Sequence, residues 1–108
     1  MTNTLNVYKE AILRWGEIPQ IAQMFEEMGE LMTAISRFYF RKRKDVSKED
    51  IAEEIVDVTI MMEQMKEIFD IRKEVKDIYK LKMKQLHKQL DLGKNFKVDV
   101  KTKEEYFR

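Results

Sequence analysis

Two pairs of acidic residues, Glu27/Glu30 and Glu54/Asp57, have the types and spacing to do chemistry. Spacing three does not single them out, because five such pairs occur where chance placement of 20 acids in 108 positions gives roughly four. Their faces do. At about 100° per helical residue, Glu27 and Glu30 share a sector with Gln20, Gln23, Leu31, Ala34 and Phe38. Glu54 and Asp57 share theirs with Ile51, Val58, Met61 and Met65. Both pairs therefore point where a core should be. The other three, Asp50/Glu53, Glu67/Asp70 and Glu74/Asp77, fall in a helix's first turn or among other charges and need only solvent.

An ionised carboxylate kept from water without a partner costs several kcal/mol. Two arrangements avoid that cost. The acids sit at a helix boundary and pair with Arg14, Arg37 or lysines of a later helix, or they hold a metal ion. Cysteine is absent and His87 is the single histidine, so an all-oxygen ligand set would select a hard cation. Mg²⁺, with Mn²⁺ as a substitute, fits four carboxylates whose shell is completed by water and substrate phosphates. Such an ion implies a phosphate ester or anhydride as substrate.

The elements that would position these residues are helices. Leu5, Tyr8, Ile12 and Trp15 recur at helical spacing and stop at Gly16, predicting a first helix over about 4–14. Pro19, the only proline, suits the first turn of a second helix that runs to about Phe40. Arg41-Lys42-Arg43-Lys44-Asp45 has no apolar period and reads as a solvated connection. Ser47 with Asp50 three residues on predicts an N-cap and a third helix over about 48–68. Its stretch Ile55–Met62 is apolar all round apart from Asp57 and Thr59, the pattern of a covered helix. Asp70 is expected to cap a fourth helix carrying Val75, Tyr79, Leu86 and Leu90, closed by Gly93. The expected domain is 1–93, an all-α antiparallel four-helix bundle that must assemble to cover its third helix, with 94–108 as a tail or arm.

Composition narrows the function classes. Net charge +1 offers no general attraction to nucleic acid or to an anionic membrane. Absent cysteine excludes disulfides and thiolate metal sites, and one histidine leaves no natural Ser-His-Asp triad or His-bearing di-iron bundle. No apolar run approaches a bilayer span and no leader pattern opens the chain, so a soluble, cytoplasmic protein is expected.

Trp15-Gly16, Gln20, Glu26-Glu27-Met28-Gly29-Glu30-Leu31 and, after the basic loop, Glu53-Glu54-Ile55-Val56-Asp57-Val58 resemble the MazG-like all-α nucleoside triphosphate pyrophosphohydrolases. That superfamily also includes dimeric dUTPases and phosphoribosyl-ATP pyrophosphatase. Its Glu-Glu-x-x-Glu, spacer, Glu-x-x-Asp signature falls on Glu26, Glu27, Glu30, Glu54 and Asp57. The resemblance covers about residues 13–60 well and the rest loosely.

It implies Mg²⁺-dependent cleavage between the α and β phosphates of a nucleoside triphosphate, giving a monophosphate and pyrophosphate. Glu27, Glu30, Glu54 and Asp57 would hold the ion, and Glu26 or Glu27 would polarise the attacking water. Trp15 and Gln20 would meet the base or sugar, and Lys82 or Lys84 the phosphates. Trp15 also suits a core, Gln20 a polar rim and the lysines a solvated face. A homodimer or homotetramer is implied, with the pocket at a subunit contact. His87, among lysines, is expected in solvent, and the eight methionines as packing. A reading of another class is a noncatalytic helical interaction module whose loop 41–44 touches nucleic acid, though no recognition helix is evident. Indifference to Mg²⁺ would distinguish it.

Overall fold

The computed structural model describes residues 4–93. They form α1 (Thr4–Trp15), α2 (Glu17–Ile35), a π turn (Ser36–Phe40), α3 (Lys48–Phe69) and α4 (Arg72–Gly93), with no strand among the described residues. The expected all-α class is observed, and no helix among the described residues is long and apolar enough to cross a membrane.

Local chemistry explains each boundary. Gly16 adopts φ 91°, a backbone state that side chains resist, so α1 and α2 are separated by a one-residue joint. Pro19 lies in the first turn of α2, where a missing N–H leaves no helical bond unmade. At the start of α3 the Ser47 hydroxyl accepts from the Asp50 N–H at 3.2 Å, while Asp50 accepts from the Ser47 N–H at 2.8 Å. This reciprocal box satisfies two backbone donors at once.

Asp70 does not cap α4. It takes the left-handed conformation (φ 53°, ψ 53°) and closes α3, its N–H donating to the carbonyls of Glu67 and Lys66. An N-cap needs extended backbone, which this residue lacks. The second helix also departs from a regular α-helix to Phe40, because its last turn is of the wider π type.

The chain divides into two compact units, Met1–Arg72 and Lys73–Arg108. In the first, α2 packs chiefly on α3, and α1 lies against both. The two principal helices run antiparallel, since Arg37 near the end of α2 shares a groove with Val46 and Asp50, while Glu30, two turns earlier, meets Glu54. Val58 and Met61 of α3 are buried, as are Gln20 and Gln64. The apolar side chains described elsewhere in the unit, from Val7 on, are half-buried or exposed.

Among the described residues of the first unit, α3 is covered on one side only. Ile55, Val56, Ile60 and Met62 are each at least 40% exposed in the single chain, which leaves them to be covered by assembly if they are covered at all. The reason is geometric, because α1 and α2 pack on the Val58/Met61 side and no third element of the unit reaches the back.

A charged staple ties the end of α3 to the turn that follows it. Arg72 donates to Glu63 Oε2 at 2.7 Å, to Glu67 Oε2 at 3.2 Å and to the Glu63 carbonyl at 3.2 Å, with Tyr8 of α1 beneath its guanidinium. Lys66 and Arg72 together hold the Glu63 carboxyl below its ordinary value of 4.5. Hydrogen bonds to charged groups contribute about 1.5–3 kcal/mol each when one partner is removed. Arg72→Ala should therefore lower stability by roughly 2 kcal/mol, read from urea unfolding at neutral pH. The loss should shrink as pH falls through the depressed Glu63 value, because protonated Glu63 no longer favours the cation. A loss independent of pH would assign the effect to packing on Tyr8.

The second unit is described by itself. Along α4, Tyr79, Leu86 and Leu90 of the predicted stripe are exposed, and His87 is exposed as expected. The tail or arm expected at 94–108 lies outside the described residues.

Candidate metal centre

Antiparallel packing sets the Glu27/Glu30 ledge of α2 against Glu54 of α3. One carboxylate oxygen from each of the three lies within 4.8 Å of the other two. Gln23, one turn before Glu27, donates its Nε2–H to Glu27 Oε1 at 2.7 Å and fixes that carboxylate. The second oxygen of Glu27 and one oxygen of Glu54 are buried without a hydrogen-bond partner.

No described lysine or arginine forms an ion pair with this cluster. Arg14 pairs with Glu10, Arg43 with Asp45, and Lys66 and Arg72 with Glu63. The cationic way of keeping these acids from water, open on sequence grounds, is thus not taken among the described residues. Buried carboxylate oxygens without donors form an all-oxygen set that fits a hard divalent cation.

Repulsion marks two of these groups, Glu30 and Glu54. The charge of Glu27 is the main cause holding the Glu30 carboxyl above its ordinary value of 4.5, followed by desolvation and the charge of Glu54. Desolvation is the main cause at Glu54, followed by the charges of Asp57 and Glu27. Both groups have folded values above their unfolded ones. The metal-free protein therefore keeps their full contribution to stability below pH 4.5 and loses it as pH rises through the raised values. A bound cation favours the ionised forms and opposes that loss. The rise in melting temperature on adding Mg²⁺ should then grow between pH 4.5 and neutrality. Paired melts in EDTA and in excess Mg²⁺ measure it, and a rise that does not change with pH would contradict the assignment.

The cluster opens into a groove of about 500 Å³ between α2 and α3. Glu26, Glu30 and Glu54 line one end, Arg37, Val46 and Asp50 the other, with Gly29, Thr33 and Ala34 as floor. A Cβ at Gly29 would meet nothing within 4 Å, so this part of the groove is open space.

The other residues singled out in the sequence are placed as follows. Asp57 is half-buried one turn beyond Glu54, outside the three-oxygen cluster but close enough to raise the Glu54 carboxyl. Glu26 is exposed on the groove wall. Gln20 is buried instead of lying on a rim, two turns before Glu27. Trp15 is 60% exposed and lines a separate hollow of α1 with Val7 and Arg14, so it belongs neither to the core nor to the groove of this chain. Lys82 is exposed on α4, in the second unit.

Two features escaped sequence reading. Gln64 is 95% buried and its carboxamide oxygen lacks a donor, yet nothing in its neighbourhood of the sequence distinguishes it from a surface residue. Arg37 was foreseeable only as a counter-ion, whereas it lines the groove. In comparisons with protein-family profiles, curated proteins and solved structures, no match to this chain was found.

Proposed function

We propose that the protein is a Mg²⁺-dependent nucleotide pyrophosphohydrolase, with Mn²⁺ able to substitute, that cleaves a nucleoside triphosphate between its α and β phosphates. The observation that carries the reading is the pair of buried, partnerless oxygens on Glu27 and Glu54, within a cluster of like charges that opens into a groove. A cluster built for structure alone would be relieved by a lysine or arginine. The resemblance of the Glu26–Glu30 and Glu54–Asp57 segments to MazG-like enzymes supplies the reaction type.

Glu27, Glu30 and Glu54 would hold the ion, with Asp57 as a fourth carboxylate beside them. When bound, the ion supplies neutralisation of the polyphosphate charge. Glu27 is fixed by Gln23 and half-buried, which suits a ligand. Glu26 is exposed on the same wall and free to accept a proton. In the reaction a water oxygen bonds to the α phosphorus, the bond to the bridging oxygen breaks, pyrophosphate leaves, and Glu26 takes the water proton. The four helices would form an antiparallel bundle that assembles as a dimer or tetramer in the cytoplasm.

Incubating the chain with each common ribo- and deoxynucleoside triphosphate and Mg²⁺ tests the reading. Monophosphate and pyrophosphate should appear in equal amounts, and EDTA should stop both. Release of inorganic phosphate would make it a phosphatase. No product with either Mg²⁺ or Mn²⁺, and no shift in melting temperature on adding a nonhydrolysable triphosphate with the metal, would leave the interaction-module reading in its place.

A further inference from the structure

We infer that Arg37 binds the outer phosphates of the substrate, so that the polyphosphate runs from the carboxylate cluster toward the loop after the π turn. This rests on the function proposed above and fixes the direction of the substrate in the groove.

The first observation is where unpaired positive charge lies. Toward the Gln20 end of the α2–α3 pair, the cations of the first unit are neutralised, with Lys9 against Glu67, Arg14 against Glu10, and Lys66 and Arg72 against Glu63. At the loop end, Arg37, Arg41, Lys42 and Lys44 form no ion pair with any described residue, and only Arg43 is engaged, by Asp45. Among the described residues of the first unit, a trianionic or tetraanionic chain anchored at the cluster meets unpaired cations toward the loop end only.

Arg37 forms no close ion pair with the acids around the same groove, although its charge is felt by Asp45, which Arg43 holds. Asp50 accepts the Ser47 N–H in the cap of α3, and Glu30 and Glu54 face each other across the cluster. The backbone at Arg37 is fixed meanwhile. Its carbonyl accepts the Arg43 N–H at 2.9 Å, and the Ser36 carbonyl accepts the Arg41 N–H at 3.0 Å, closing the π turn. The side chain is exposed on a fixed base, and it lines both the main groove and a smaller neighbouring hollow that contains Ser36 and Arg41. Such wide turns recur at functional sites.

Distance and shape agree with the assignment. Arg37 follows Glu30 by seven residues, two turns or about 10 Å along the helix. The terminal phosphates of a chain held at its α phosphate extend into that interval, and a guanidinium offers paired donors matched to phosphate oxygens. In the opposite direction Gln23 is engaged by Glu27 and Gln20 is buried, and neither carries a charge to offer a phosphate.

Calorimetry with Mn²⁺ alone, and with Mn²⁺ plus inorganic tripolyphosphate, tests this on the full chain, its Arg37→Gln and Arg37→Lys variants, and Glu54→Gln. Mn²⁺ alone should bind wild type and Arg37→Gln equally and Glu54→Gln poorly. Tripolyphosphate with Mn²⁺ should bind Arg37→Gln at least tenfold more weakly than wild type, with Arg37→Lys between them. Equal tripolyphosphate binding by wild type and Arg37→Gln, with Mn²⁺ bound by both, would overturn the role of Arg37 and leave the metal site standing. Failure of wild type to bind Mn²⁺ would instead overturn the metal site, and the direction of the substrate with it.

Discussion

Glu54→Gln should reduce kcat/KM for the best triphosphate by at least about a hundredfold, close to 3 kcal/mol of transition-state stabilisation, while the metal-free protein becomes more resistant to heat. The two effects have one cause. Glu54 is held above its ordinary carboxyl value by desolvation and by Asp57 and Glu27, so removing its charge relieves the empty cluster. The amide keeps the shape and one oxygen but loses the anionic ligand. A buried acid that served only structure would behave oppositely, because its neutralisation would strand a counter-ion and lower stability. Melts of wild type and Glu54→Gln in EDTA and in excess Mg²⁺, run beside turnover measurements, separate the cases. Asp57→Asn should show the same signs with smaller size, since Asp57 stands outside the three-oxygen cluster. A Glu54→Gln protein that is less stable in EDTA and equally responsive to Mg²⁺ would sink the metal assignment.

The second large effect concerns the uncovered back of α3. Val56 and Ile60, one turn apart, are 55% and 41% exposed, and Ile55 and Met62 flank them. Covering the exposed half of a side chain of this kind stabilises by about 1 kcal/mol, so four of them on one helix favour a second copy. Light scattering at tens of micromolar should give a mass that is a multiple of 13.1 kDa for wild type. The double substitution Val56→Glu, Ile60→Glu should bring it down to that single-chain mass and lower the melting temperature, because charge cannot be buried in an apolar contact. A monomeric wild type whose melting is unmoved by the pair would mean that this face stays in water.

The helices were legible from the chain because their signals are local. Gly16 and Pro19 mark the first junction, and Ser47 with Asp50 writes out the cap of α3. Periodicity placed Glu27, Glu30, Glu54 and Asp57 on facing sectors; the first three have oxygens within 4.8 Å of one another, and Asp57 stands outside them. Signals that depend on neighbours in space were illegible. Asp70 carries the composition of an N-cap, but the chain reversal there imposes a left-handed backbone that closes the preceding helix. Trp15 has the size of a core residue and lies exposed, because Gly16 ends the helix before any element can cover it. The wide turn after Ile35 has no residue pattern of its own, and so the place of Arg37 in the groove had no local sign.

That wide turn has a consequence for insertions and deletions. A π turn closes its hydrogen bonds over one residue more than an α-helix does, so Ser36–Phe40 is equivalent to a regular helical end into which a single extra residue has been absorbed. Excising Tyr39 would restore the ordinary winding and swing Phe40, Arg41 and the basic run behind them by about one residue's arc, roughly 100°, around the α2 axis. The carboxylates upstream would keep their positions. The phase between the acidic and basic parts of the chain is thus set by one residue's worth of length, and a change of length there would separate them where most changes of side chain would not.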